Sequence, residues 1–187
     1  VSYKLIIDTP DPGILLYDIG LDTSFLLIEP LPDNCQIFWQ VIAEDLDGSQ
    51  TVNQGGYQTF YTNSANEHPS TPFLIAPIDG SIQSNLTPNF YWTESLDPDP
   101  LDHVSYIISY EVNNSGIWFD INADTNWYLP ELNLSDNSMF KWHVHSMDLN
   151  GSDSFSDSSV FYTDEFSEPP GNFSTVFPLD LSVHDQS

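Results

Sequence analysis

Five aspartates in two loops are the residues of this chain whose type and spacing best suit a chemical task. Asp97, Asp99 and Asp102 fall in the run Asp97-Pro98-Asp99-Pro100-Leu101-Asp102. Asp148 and Asp153 bracket Leu149-Asn150-Gly151-Ser152. Converging carboxylate oxygens, helped by backbone carbonyls, suit Ca²⁺, which takes about six to eight oxygen ligands. The spacing matches no EF-hand loop, and Asp-Pro and Asp-Leu-Asn-Gly are turn formers in their own right. Both readings stand at this level, and Ca²⁺ is the one cofactor the residues suggest.

Other chemistry is thinner. His143 and His145 lie two apart, so on a strand both would reach one transition metal. Trp118-Phe119 and Trp127-Tyr128 put one ring of each pair on each face of a strand, where the outward ring would stack on a glycan or a neighbouring subunit. Core packing or edge cover is the plainer role for these rings. The chain has no Gly-x-Ser-x-Gly, no phosphate-cradling glycine loop and no His-Glu-x-x-His. None of its many carboxylates is marked as the perturbed pair that acid–base catalysis needs. The expectation is a protein that is not an enzyme.

The formal net charge is −26, from 28 acids against two bases, Lys4 and Lys141. That balance argues against nucleic acid and anionic membrane surfaces, both of which demand a basic footprint. With 40% hydrophobic and 14% aromatic residues, the chain has enough apolar material to fold, unlike a disordered acidic tail. So dense a surface of like charge is relieved by salt or by divalent cations, which points outside the cell or to a saline habitat. Cys35 is alone, so an intrachain disulfide is impossible. No run of about 18 apolar residues offers a membrane span. Asn85, Asn113, Asn133, Asn150 and Asn172 each begin an Asn-x-Ser/Thr sequon, a weak sign of secretion.

The elements that must position these residues are repeated. Val1-Ser2-Tyr3 recurs as Val104-Ser105-Tyr106, and Trp39, Val41, Asp45 and Gly48 recur as Trp142, Val144, Asp148 and Gly151, all at an offset of 103. Phe60-Tyr61-Thr62 recurs as Phe161-Tyr162-Thr163, and Pro77, Asp79 and Ser81 as Pro178, Asp180 and Ser182, at 101. Copies this long are whole domains, not solenoid units. The expected map is the C-terminal part of a first domain at 1–67, a complete domain at 68–167 and the start of a third at 168–187. The first copy has no counterpart of Phe73–Asp102. The chain then reads as a piece of a longer protein. The other reading is a polymer subunit completed by a neighbour's strand, with Phe173–Ser187 as the donor.

Short alternating runs rich in Val, Ile, Tyr, Phe and Trp, separated by Asn/Asp/Ser/Gly/Pro clusters, predict an all-β chain. The complete unit offers seven strands: 72–76, 88–93, 104–111, 116–121, 126–129, 139–147 and 159–163. Seven in about a hundred residues suit a Greek-key sandwich. Phe140, Trp142, Val144 and Ser146 should face inward and Lys141, His143 and His145 outward, with Ile37, Trp39, Val41 and Ala43 inward in the first copy. Phe90 and Trp92, and Tyr106, Ile108 and Tyr110, should alternate inward likewise.

The order Trp92, Tyr106-x-Ile108-x-Tyr110, then Leu134 six residues before Phe140-x-Trp142-x-Val144, with Gly151 following, resembles fibronectin type III domains. Ala76-Pro77-Ile78-Asp79-Gly80, Asn89-Phe90-Tyr91-Trp92 and the Asp97–Asp102 run look like a bacterial subgroup found in tandem on large secreted and cell-surface proteins. The resemblance implies immunoglobulin-like β-sandwiches and leaves function open. One position departs: the family carries Tyr where this chain has Phe140 and Ile37, and its hydroxyl ties back the preceding loop. The corner here should therefore be held by packing alone.

Short Pro-bearing linkers at 64–72 and 165–171 should act as semi-rigid spacers. The resulting expectation is a non-enzymatic structural segment of an extracellular protein: a stalk, adhesin shaft, filament or surface-layer component. Its partners would be copies of itself, other surface proteins or glycans, without nucleic acid or membrane insertion. The rival is an accessory spacer or carbohydrate-targeting region of a secreted enzyme.

Overall fold

A computed structural model describes residues 1–174. Its strands are β1 (Ser2–Asp8), β2 (Ile14–Gly20), β3 (Cys35–Glu44), β4 (Gln50–Val52), β5 (Gln58–Thr62), β6 (Leu74–Ala76), β7 (Ser81–Gln83), β8 (Phe90–Trp92), β9 (Ser105–Val112), β10 (Trp118–Ala123), β11 (Trp127–Tyr128), β12 (Ser138–Met147), β13 (Asp153–Phe155) and β14 (Ser159–Thr163). No helix occurs among the described residues, so none there is long and apolar enough to cross a membrane. The all-β expectation holds.

The first five strands make one sheet in the order β2-β1-β3-β4, with β5 also paired to β3. The later strands make two sheets. One runs β10-β9-β12-β14-β7 with β13 added to β12, and the other runs β11-β8-β6. Each of the seven expected segments coincides with a strand, and β7 and β13 raise the number to nine. Their origin is local. Pro77 has no N–H to continue the pairing of β6 with β8. The chain turns through Asp79 and Gly80 (φ 73°) and re-enters as β7, parallel to β14 on the other sheet.

Period-two alternation decides what is buried. Along β12 every second residue from Ser138 to Ser146 is buried, and the residues between are only partly so. Phe90, Trp92, Tyr106, Ile108, Phe140, Trp142, Val144 and Phe161 form one core between the two sheets. Phe90 meets Trp142 edge-on at 4.9 Å, and Phe140 stacks on Phe161 at 5.2 Å. Each such side chain contributes about 1.5–3 kcal/mol on burial.

The first sheet repeats this pattern but not its burial. Ile37 is fully buried, whereas Trp39, Val41 and Ala43 are only partly so. Leu5, Ile7, Trp39, Val41 and Phe60 line an open groove of about 380 Å³, and among the described residues no second sheet faces it. The expected donor segment Phe173–Ser187, and the third copy beyond residue 174, lie almost wholly outside the described residues.

The corner expected to rest on packing alone is in fact hydrogen-bonded. Thr163 Oγ1 donates to Ser135 O at 2.6 Å and accepts from Ser138 N at 3.2 Å. The first sheet repeats the arrangement: Thr62 Oγ1 donates to Pro32 O at 2.6 Å and accepts from Cys35 N at 3.2 Å. A threonine on the neighbouring strand takes the place of the missing tyrosine. Thr163 is 1% exposed, so Thr163→Val takes the hydroxyl acceptor from the buried Ser138 N–H and the donor from Ser135 O, and should cost about 1–3 kcal/mol. Urea unfolding of the variant and the parent measures it. No change would show that the corner is indeed held by packing.

Candidate functional site

Two loops and a linker build the acid-rich pole of the sandwich. The first loop leaves β8 and is pinned where Ser95 N donates to the buried Tyr106 hydroxyl at 2.8 Å. It then folds on itself: Asp99 N donates to Asp97 Oδ1 at 2.8 Å, and Asp102 N to Asp99 O at 3.2 Å. Leu101 between them sits at φ 67°, a left-handed conformation uncommon for a residue with a side chain.

The second loop follows β12 and wraps around one carboxylate. Asp148 Oδ1 accepts the backbone N–H groups of Asn150 and Ser152, both at 2.8 Å, and that of Gly151. Asp45 does the same less completely in the first sheet, accepting from Asp47 and Ser49. The turn-former reading of Asp148 is therefore correct as far as Oδ1 goes. Burial alone would raise the Asp148 carboxyl, but the donors from Asn66, Ser152, Gly151 and Asn150 together hold it below its ordinary value.

Asp97, Asp102 and Asp148 each offer an oxygen within 4.8 Å of the others. Asp99 is not one of these three. Its charge nonetheless acts on Asp97 more strongly than those of Asp102 and Asp148, and with burial as the first cause they push the Asp97 carboxyl upward. Asp99 is 4% exposed, and its Oδ2 accepts Glu67 N at 3.1 Å. Asp97 and Asp102 also line a cleft of about 380 Å³.

Asp153, the fifth candidate, stands apart. It belongs to β13, opposite Met147, on the outward side of the sheet. There its carboxylate lies 3.0 Å from His145 Nε2. The two histidines have different neighbours: His145 stacks on Phe155 at 4.1 Å, and His143 meets Trp118 edge-on at 4.9 Å. Burial is the first cause lowering the basicity of His143. Trp118 and Trp127 are 38% and 48% exposed, and Lys141 Nζ lies 5.9 Å from the Trp118 ring centre.

The residues that sequence reasoning missed are in the linker. Asn66 Nδ2 donates to Asp148 Oδ2 at 2.8 Å and to Ser152 Oγ at 2.6 Å, while its Oδ1 accepts from Asn150 Nδ2 at 2.8 Å. Glu67 touches both sides. Its Oε2 accepts from Asn34 of the first unit at 3.1 Å, and its N–H goes to Asp99 of the second. A hydrogen bond with the Asp99 carboxylate is the first cause lifting the Glu67 carboxyl above its ordinary value. Ser64 N donates back to Asp33 Oδ1 at 2.8 Å, and Ser154 Oγ to Pro69 O at 2.7 Å. Pro69 and Pro72 are fully buried. Their signal in the sequence is no more than polar residues beside two prolines.

No protein-family model matches the chain, and no curated protein matches it. Among solved structures it is similar to a crystal structure of the FN1–FN3 domains of chicken CNTN1, with a TM-score of 0.47 and 15% identity. The likeness covers 88% of this chain and 56% of that one, so the chain spans just over half the length of that fragment.

Proposed function

We propose that the chain is a non-enzymatic structural segment of an extracellular multi-domain surface protein, built from tandem Greek-key sandwiches of fibronectin type III type. Its units are a first partial domain at 1–67, a complete domain at 68–167 and the opening of a third from 168. The observation that carries this reading is the linker. Asn66 and Glu67 are hydrogen-bonded into the second unit while Ser64 and Glu67 hold the first. A connection tied at both ends suits a protein whose task is to keep neighbouring domains in fixed relation, as in a stalk, shaft or filament. The charge of −26 supports a saline, calcium-rich exterior, where screening relieves self-repulsion.

A second reading rests on Trp118, which is 38% exposed on the outer sheet face beside His143. Such a ring would stack on a sugar, and the segment would then target a secreted enzyme or surface protein to carbohydrate. The linker geometry favours the structural reading.

Intact source cells labelled with antibody against residues 1–174 test the proposal. Labelling without permeabilisation is expected. Signal that appears only after lysis would overturn an extracellular role.

A further inference from the structure

From the geometry of the pole we infer that Asp97, Asp102 and Asp148 form a binding site for one divalent cation, Ca²⁺, at the junction of linker and sandwich. Proximity of acids would not establish this, since aspartates crowd many surfaces. The deciding feature is that one carboxylate oxygen of the converging group, Asp97 Oδ2, is buried and no protein group donates to it. Asp97 Oδ1 is taken by Asp99 N, so Oδ2 is the oxygen left for the cluster. Asp99 lies beside this group, more than nine-tenths buried, with its Oδ2 taken by Glu67 N and its carboxylate against the Glu67 carboxyl.

Buried carboxylates need a positive partner or a proton, and this chain has almost no cations to give. Lys4 is held by Glu44 at 2.7 Å, and Lys141 lies over Trp118 on the outer sheet face. Neither lysine is bonded to Asp97, Asp102 or Asp148, and a metal ion is the partner that would serve their three converging oxygens at once. The donors are all hard oxygens, which selects calcium or magnesium over softer metals. Several carboxylates gathered from separate loops suit the larger, more adaptable shell of Ca²⁺ better than the strict octahedron of Mg²⁺. The cleft beside Asp97 and Asp102 admits water to complete that shell.

The ion would also act on the junction. Asp148 holds Asn66 through Oδ2, so neutralising this acid fixes the linker residue it carries. External calcium would thereby set the stiffness of the segment. That consequence rests on the extracellular reading above; cation binding does not.

Calorimetric titration of calcium chloride into the chain at physiological salt tests the site, with Asp97→Asn alongside. The amide oxygen of the variant can still accept the Asp99 N–H, so the loop keeps its shape. The expected result is saturable uptake of about one ion per chain, lost in the variant. Thermal melting adds a signature that mere structural damage would not produce. With calcium at about a hundred times its dissociation constant, the parent should gain on the order of 10 °C over EDTA. Asp97→Asn should melt lower than the parent in calcium but no lower in EDTA, because it removes a repelling charge. Uptake that does not saturate, or that is the same in the variant, would overturn the site. Equal melting in calcium and EDTA would do so too, and would leave the cell-labelling result untouched.

Discussion

Trp142→Ala is expected to remove about 3–5 kcal/mol from the second unit, against a total of about 5–15 kcal/mol for a domain of this size. Trp142 is fully buried and meets Phe90 edge-on, so its truncation leaves a cavity that neighbouring β-strands cannot close. The sequence counterpart Trp39 occupies the same position of β3 but lies only partly buried along an open groove. Trp39→Ala should therefore cost less than half as much. Denaturant unfolding of the two variants, followed by the remaining tryptophans, makes the comparison. Equal costs would mean that the first sheet is covered as completely as the second, contrary to its groove.

The second large effect belongs to Asp148. Asp148→Ala leaves the N–H groups of Asn150, Gly151 and Ser152 without their acceptor and releases Asn66. Hydrogen bonds to a charged group contribute about 1.5–3 kcal/mol each. Relief of repulsion against Asp97 and Asp102 offsets part of the loss. A net cost of about 2 kcal/mol to the second unit follows in calcium-free buffer, and more with calcium if the ion binds. Asp45→Ala, at the equivalent turn, removes fewer bonds from a more exposed loop and should cost little. Urea unfolding of both variants in EDTA makes the comparison. Similar effects at the two turns would mean that Asp148 is only a turn former.

Much of this fold can be read from alternation alone. The inward set of β12 and the pairs Phe90/Trp92 and Tyr106/Ile108 are buried as their parity demands. What cannot be read depends on contacts distant in sequence. The corner bond of Thr163 joins residues 28 apart, and nothing local to Phe140 announces it. The short strand β13 reads as loop in the sequence, which groups Asp153 with the pole. Once paired opposite Met147, its parity turns it outward to His145.

At the pole, the spacing of Asp97, Asp99 and Asp102 and the turn around Asp148 are legible, and Asp97, Asp102 and Asp148 do converge. The linker is legible only as a stiff spacer. That Asn66 and Glu67 are gripped by the same aspartates follows from neither composition nor period, because it requires knowing where the first unit ends in space. The acidic pole and the spacer are one arrangement.

The central question is whether that arrangement fixes one unit against the next. Backbone N–H residual dipolar couplings, recorded in a neutral, weakly aligning medium, measure it directly. Residues 2–62 and 74–163 should fit a single alignment tensor in the parent chain and two different tensors in Asp148→Ala. Two independent tensors in the parent would contradict a segment that holds its domains in place.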